Sequence, residues 1–115
     1  MLPKRLRLRG KGAFESVFQS KKAIFSREIG IFFRAAPSIE TKVGFAFKQK
    51  VFPRATTRHF LKRKGSAIMR ELASRLPKAT NIVVLFHKPF SAPVTYPWLK
   101  GELYQLVERL NKAKK

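Results

Sequence analysis

The chain has 115 residues, of which 26 are Lys or Arg and only six are acidic, giving a formal net charge of +20. All six acids are Glu, and there is no Asp and no Cys. This excludes disulfides and thiolate metal sites, and leaves almost nothing from which to build the oxygen-ligand cluster of a two-metal nuclease. A hydrophobic fraction of 44% with 11 Phe belongs to a chain with a core rather than to a disordered basic tail.

The length fits one domain over 1–115. Residues 1–12 form a basic arm, KRLRLRGKG, which is expected to be extended. The alternation of Leu2, Leu6 and Leu8 sets part of it against the body. Phe14, Val17 and Phe18 then fall on one face of a helix over 13–20. Residues 29–34 read as a strand with Ile29, Ile31 and Phe33 on one side and Gly30, Phe32 and Arg34 on the other. A turn-like AAPSIE follows. Residues 42–48 alternate again, with Val43, Phe45 and Phe47 on one side, so these two strands are expected to pair as an antiparallel hairpin.

After Pro53, Thr56 or Thr57 is the expected N-cap of a helix ending near Leu76, before Pro77. Its apolar stripe is Leu61, Ile68, Leu72 and Leu76, and Gly65 inside it weakens it by roughly 1 kcal/mol relative to Ala. The run NIVVLF over 81–86 reads as a buried central strand, ended by His87-Lys88-Pro89. Thr95 caps a last helix over 97–112, whose core stripe is Leu99, Leu103, Leu106, Val107 and Leu110. The tail over 113–115 is expected to fray. The order α-β-β-α-β-α predicts a small α+β sandwich: one sheet with helices packed on it.

Between Glu40 and Glu71 lie Lys42, Lys48, Lys50, Arg54, Arg58, Lys62, Arg63, Lys64 and Arg70, with no acid among them. Such a cluster repels itself and calls for a polyanion, of which nucleic acid is the obvious one. No apolar run reaches the roughly 18 residues needed to span a bilayer. The basic N-terminus lacks the apolar segment of a secretory signal. A cytoplasmic protein without a membrane role is the expectation.

Five blocks, in order, resemble the bacterial ribonuclease P protein subunit. They are RLRLRGKGAFESVF, TKVGFAFKQKV, ATTRHFLKR, IVVLFHKP and TYPWLKGELYQLVERL. The third occupies the place of that family's signature helix, which begins Arg-Asn-Arg. Here Arg58 keeps the first Arg, while His59 stands for Asn and Phe60 for the second Arg.

The resemblance implies a mixed sheet with a left-handed βαβ crossover, against the usual hand. It also implies a ribonucleoprotein endonuclease in which a large RNA carries the active site and its Mg²⁺ and removes the 5′ leader of precursor tRNA. The protein itself would bind no cofactor and contribute no catalytic residue. It would act as a monomer within the complex, with two RNA-binding surfaces. Arg54, Arg58, His59, Lys62 and Arg63 would meet the catalytic RNA. Phe14, Phe18, Phe32, Lys50, His87 and Lys88 would meet the leader.

Each group also has a plainer reading. Phe14 and Phe18 on an apolar helix face can be core, but Phe32 on the strand's second face completes a platform for stacking unpaired bases. Arg58, Lys62 and Arg63 can be a solvated face, but the missing acids favour phosphate as their partner. His59 and His87 could in principle form an acid–base pair, yet nothing in the sequence brings them together. The alternative of another class is a ribosomal or other structural RNA-binding protein, equally small, basic and free of Cys. It is distinguished by the block order and by the RNA that co-purifies.

Overall fold

The computed structural model describes residues 2–37, 39–90 and 93–113. Its helices are α1 (Lys11–Gln19), α2 (Ala55–Glu71) and α3 (Tyr96–Ala113). Its strands are β1 (Ala23–Phe25), β2 (Ile29–Ala35), β3 (Lys42–Phe47) and β4 (Thr80–Phe86). They form one mixed sheet in the order β1-β2-β4-β3.

The hairpin expected between the strands at 29–34 and 42–48 is not formed, because β4 lies between them. It pairs antiparallel with β2, with Ile31 opposite Val84, and parallel with β3, with Phe45 opposite Val84. The reason is in β4 itself. Ile82, Val83, Val84 and Phe86 are all at 0% exposure, so both faces of this strand are apolar. Only the centre of a sheet offers such a strand two paired edges and two covered faces. A parallel neighbour requires a long crossover, and α2 supplies it between β3 and β4. The edge strand β1, only three residues long, pairs antiparallel with β2 and has no counterpart in the sequence reading.

The two sides of the sheet carry separate cores. Ile29, Ile31, Phe33, Val43, Ile82, Val84 and Phe86 face α2 and α3, meeting Leu61, Ile68, Leu72, Leu99, Leu103, Leu106, Val107 and Leu110. Each such side chain contributes about 1.5–3 kcal/mol when fully buried. The other side is smaller: Val17 of α1, Leu8 of the arm and Val83 of β4, with Ala13, Phe14, Phe18, Phe32 and Ala46 packed around them.

The arm is more ordered than an extended strand. Its residues Lys4–Leu6 make one 3-10 turn, and Leu8 N donates to Val43 O at 3.0 Å, joining the arm to the free edge of β3. The arm does lie on the body, but not as one alternating face: Leu2 is buried and Leu6 half-buried in the larger core, while Leu8 is buried in the smaller one. Helix α1 starts at Lys11, two residues before the expected position.

Helix α2 ends at Glu71, short of the expected Leu76, and a 3-10 turn over Ala73–Arg75 completes the segment. At its start neither Thr56 nor Thr57 is the cap. Arg54 holds that position with an extended backbone and no side-chain cap. Thr95 does cap α3, where its Oγ1 accepts from Trp98 N at 3.3 Å. That helix runs through Ala113, the first residue of the tail expected to fray; residues 114 and 115 lie outside the described ones.

Gly65 is buried on α2 because the ring of Phe45 lies against it. A Cβ there would sit 2.6 Å from Phe45 Cε1. Replacing Gly by Ala in a helix gains about 1 kcal/mol, whereas forcing a methyl into a packed site costs about 1–3 kcal/mol. Gly65→Ala should therefore leave the melting temperature unchanged or lower it. In a Phe45→Leu background, where the ring is gone, the same change should raise it. A rise in both backgrounds would show that Phe45 yields freely.

Candidate nucleic-acid interface

On the side of the sheet away from α2 and α3, α1 covers only part of the surface. Its Phe18 ring meets Phe32 of β2 edge-on at 4.8 Å between centroids. Phe32 meets Phe25 of β1 at 5.5 Å, and Phe25 meets His87, just past β4, at 5.4 Å, both edge-on. Four rings thus form a line from α1 to the end of the central strand. Phe25 is 48% exposed. It packs closely against β2 because residue 30 is Gly: a Cβ there would be 2.6 Å from the Phe25 ring. Phe14 sits in the same way over Gly44 of β3, where a Cβ would fall 2.4 Å from its ring.

Polar anchors fasten α1 to the sheet beside these rings. Arg34 Nη1 donates to Ser16 O and Ser16 Oγ at 3.1 and 2.9 Å, tying β2 to α1. Ser20 Oγ, at the end of α1, donates to Phe33 O at 2.9 Å. These bonds fix α1 against β2, next to the partly buried rings of Phe18 and Phe32.

At the end of the cleft, His87 lies between two lysines. Burial, and then the charges of Lys88 and Lys48, hold its pKa below the ordinary imidazole value, partly opposed by backbone hydrogen bonds at Ser26 and Ile29. Burial and these charges favour the neutral imidazole. Cations near it include the two lysines and Arg109, whose Nη1 donates to Phe25 O at 3.0 Å. Lys48 N donates to Phe86 O at 3.1 Å, and Val51 N and Phe52 N both donate back to Lys48 O. The turn carrying Lys50 is thereby fastened beside the end of β4.

The basic residues of α2 do not share one face. Arg58 is half-buried, and its Nη1 donates to Phe52 O and Pro53 O, both at 2.9 Å. It fastens the loop between β3 and α2, a structural task that sequence alone does not reveal. His59, Lys62 and Arg63 are exposed, as is Arg54. Arg54, Lys62 and Arg63 form no ion pair among the described residues. The two histidines, His59 on α2 and His87 after β4, stand on different elements.

Lys62 and Phe14, assigned from sequence to separate surfaces, line one cavity of about 240 Å³ with Arg7, Arg9 and Ser66. Arg7 Nε is buried there without a hydrogen-bond partner. The arm thus bridges the cleft and α2. Sequence reasoning did not single out Phe25, Lys48, Arg7 or Arg9. Phe25 lies on a strand too short to show periodicity. The other three were visible only as part of a general excess of charge.

The comparisons agree with this geometry. The family model described as Ribonuclease P matches residues 2–111. The RNase P protein from Thermotoga maritima is 28% identical, with a TM-score of 0.77 over 90% of this chain and 96% of that one. The RNase P protein of Staphylococcus aureus is 15% identical, with a TM-score of 0.79 over 91% and 94%. A mutant of it with defective mRNA degradation activity aligns at 0.81 over 94% and 90%. At that identity the Staphylococcus likeness is one of fold. No curated protein matched the sequence. With a family match over nearly its whole length and the same mixed sheet and three helices, the chain belongs to the ribonuclease P family as a bacterial RNase P protein subunit.

Proposed function

We propose that this subunit binds the catalytic RNA of ribonuclease P through α2 and the unpaired 5′ leader of precursor tRNA through the cleft of rings. In doing so it assists the Mg²⁺-dependent, RNA-catalysed endonucleolytic removal of the leader. The observation that carries the reading is the line Phe18–Phe32–Phe25–His87 with lysines at its end. Unpaired bases stack on such rings whatever their sequence, and the cations hold the backbone. Leaders of variable sequence need that tolerance.

The protein positions and the RNA reacts. Mg²⁺ would enter with the RNA, since the six Glu are dispersed and no Asp is present. The neutral His87 ring can stack, while Lys48, Lys50 and Lys88 supply charge. The subunit works in the cytoplasm with its RNA partners, one protein per complex.

Reconstitution tests this. Protein added to the cognate RNA should tighten precursor binding and lower the Mg²⁺ requirement for leader removal. Cleavage by rigorously RNA-free protein would overturn the division of labour.

The contribution of α2 is read from salt dependence. Lys62→Ala with Arg63→Ala should weaken assembly and reduce the log–log salt slope by about 0.7–0.9 for each lost phosphate contact. An unchanged slope in the folded double variant returns these residues to a solvated face. Arg58 is left out of this test because its loss would also release the Phe52–Pro53 loop.

A further inference from the structure

Phe60 is 45% exposed on α2, with Lys64 Nζ 4.8 Å from its ring centroid. The same ammonium stands 5.9 Å from the ring of Tyr96, at the start of α3. Tyr96 is itself held in place: its hydroxyl donates to Glu71 Oε1 at 2.5 Å, and Lys100 pairs with Glu71 Oε2 at 2.7 Å. The result is a braced aromatic shelf across the junction of α2 and α3.

Nothing in the fold requires a ring at 60. It is outside the buried core, and Phe is a poorer helix former than Ala, Arg or Lys at an exposed position. Glu71, which anchors Tyr96, is also paired with Lys100, and the charge at the Phe60 ring itself is the Lys64 ammonium. An exposed ring beside a cation suits an unpaired base attached to phosphates.

Resting on the reading that α2 meets the catalytic RNA, we infer that Phe60 is a second stacking site, taken by an unpaired nucleobase of that RNA. Helices α2 and α3 pack on the opposite side of the sheet from α1, and Phe60 is not part of the Arg7–Phe14–Lys62 cavity that joins the two sides. A base stacked on Phe60 is accordingly assigned to assembly rather than to substrate binding. A ring that stacks contributes no ion, so its loss weakens binding without altering the salt slope, unlike the loss of Arg63.

The test compares Phe60→Trp, Phe60→Leu and Phe60→Ala in the full chain. Affinity for the catalytic RNA is titrated at several salt concentrations. Phe60→Leu and Phe60→Ala should both bind about 5–100-fold more weakly, as the loss of one stacked base implies, with the salt slope of the parent. Phe60→Trp should bind at least as tightly as the parent. Assembled complexes should distinguish precursor from mature tRNA as the parent does.

Parent-like binding by Phe60→Leu would overturn the inference while leaving the proposed function intact. So would a change in sedimentation without a change in RNA affinity, which would mark a protein contact instead. A selective loss of precursor binding would overturn it too, by moving Phe60 to the leader. If the parent protein itself fails to bind the catalytic RNA, the proposed function falls and this inference with it.

Discussion

Precursor tRNA carrying a leader should bind the reconstituted complex about 5–100-fold more weakly after Phe32→Ala, while mature tRNA should bind as before. The expected size is that of one lost base–ring stack. Phe32 is the hinge of the ring line, edge-on to Phe18 on one side and to Phe25 on the other. It is half-buried within the small core under α1, so some loss of stability accompanies the change. Phe32→Leu keeps most of the apolar volume while removing the π face, and should show the same selectivity with a smaller drop in melting temperature. Phe25→Leu should behave likewise with almost no change in melting, because its ring is nearly half exposed. Equal weakening toward both RNAs, together with a large fall in melting temperature, would make these rings core and place the leader elsewhere.

The largest loss of stability is expected at Phe86. It is fully buried at the end of the central strand, its ring stacked on Phe47 at 5.1 Å and 9° between planes. Phe52 and Phe90 meet it at 6.4 and 6.1 Å. Phe86→Ala empties the middle of this group, and should cost about 3–5 kcal/mol. That is a large share of the roughly 5–15 kcal/mol that holds a domain together. Urea denaturation should show a lower midpoint with an unchanged slope, since the unfolded chain exposes the same surface. A loss under about 1 kcal/mol would mean that Phe47, Phe52 and Phe90 close over the gap. The contrast with Phe25 is the point. Both are Phe at a strand end, but one ring lies inside the larger core and the other on the open face.

Much of this was legible in the chain. The alternation of Ile29, Ile31 and Phe33 against Gly30, Phe32 and Arg34 separates the two sides of β2 as the structure does, with the larger core on one and the cleft on the other. The stripes Leu61–Ile68–Leu72 and Leu99–Leu103–Leu106–Val107–Leu110 are the buried faces of α2 and α3. Periodicity reports which face of an element is buried because each face meets one environment along its whole length. The acid-free stretch between Glu40 and Glu71 needs no fold at all to be read, since charge composition is a property of the chain.

What the chain did not reveal is which elements are neighbours. The strands at 29–34 and 42–48 looked like a hairpin because they are adjacent in sequence. β4 separates them because only its position in the sheet can bury both of its faces, and that is a property of the whole assembly. The sequence did not show that Arg58 also fastens the loop, with Nη1 donating to the carbonyls of Phe52 and Pro53 at 2.9 Å. Gly65 looked like a weakness in a helix until the Phe45 ring was found against it. Composition and periodicity determined the class, the buried faces and the excess of positive charge. Tertiary structure alone decided strand order, the division of the cations between structural and free roles, and the line of rings from Phe18 to His87. Each of those depends on contacts between residues far apart in sequence, which no local pattern encodes.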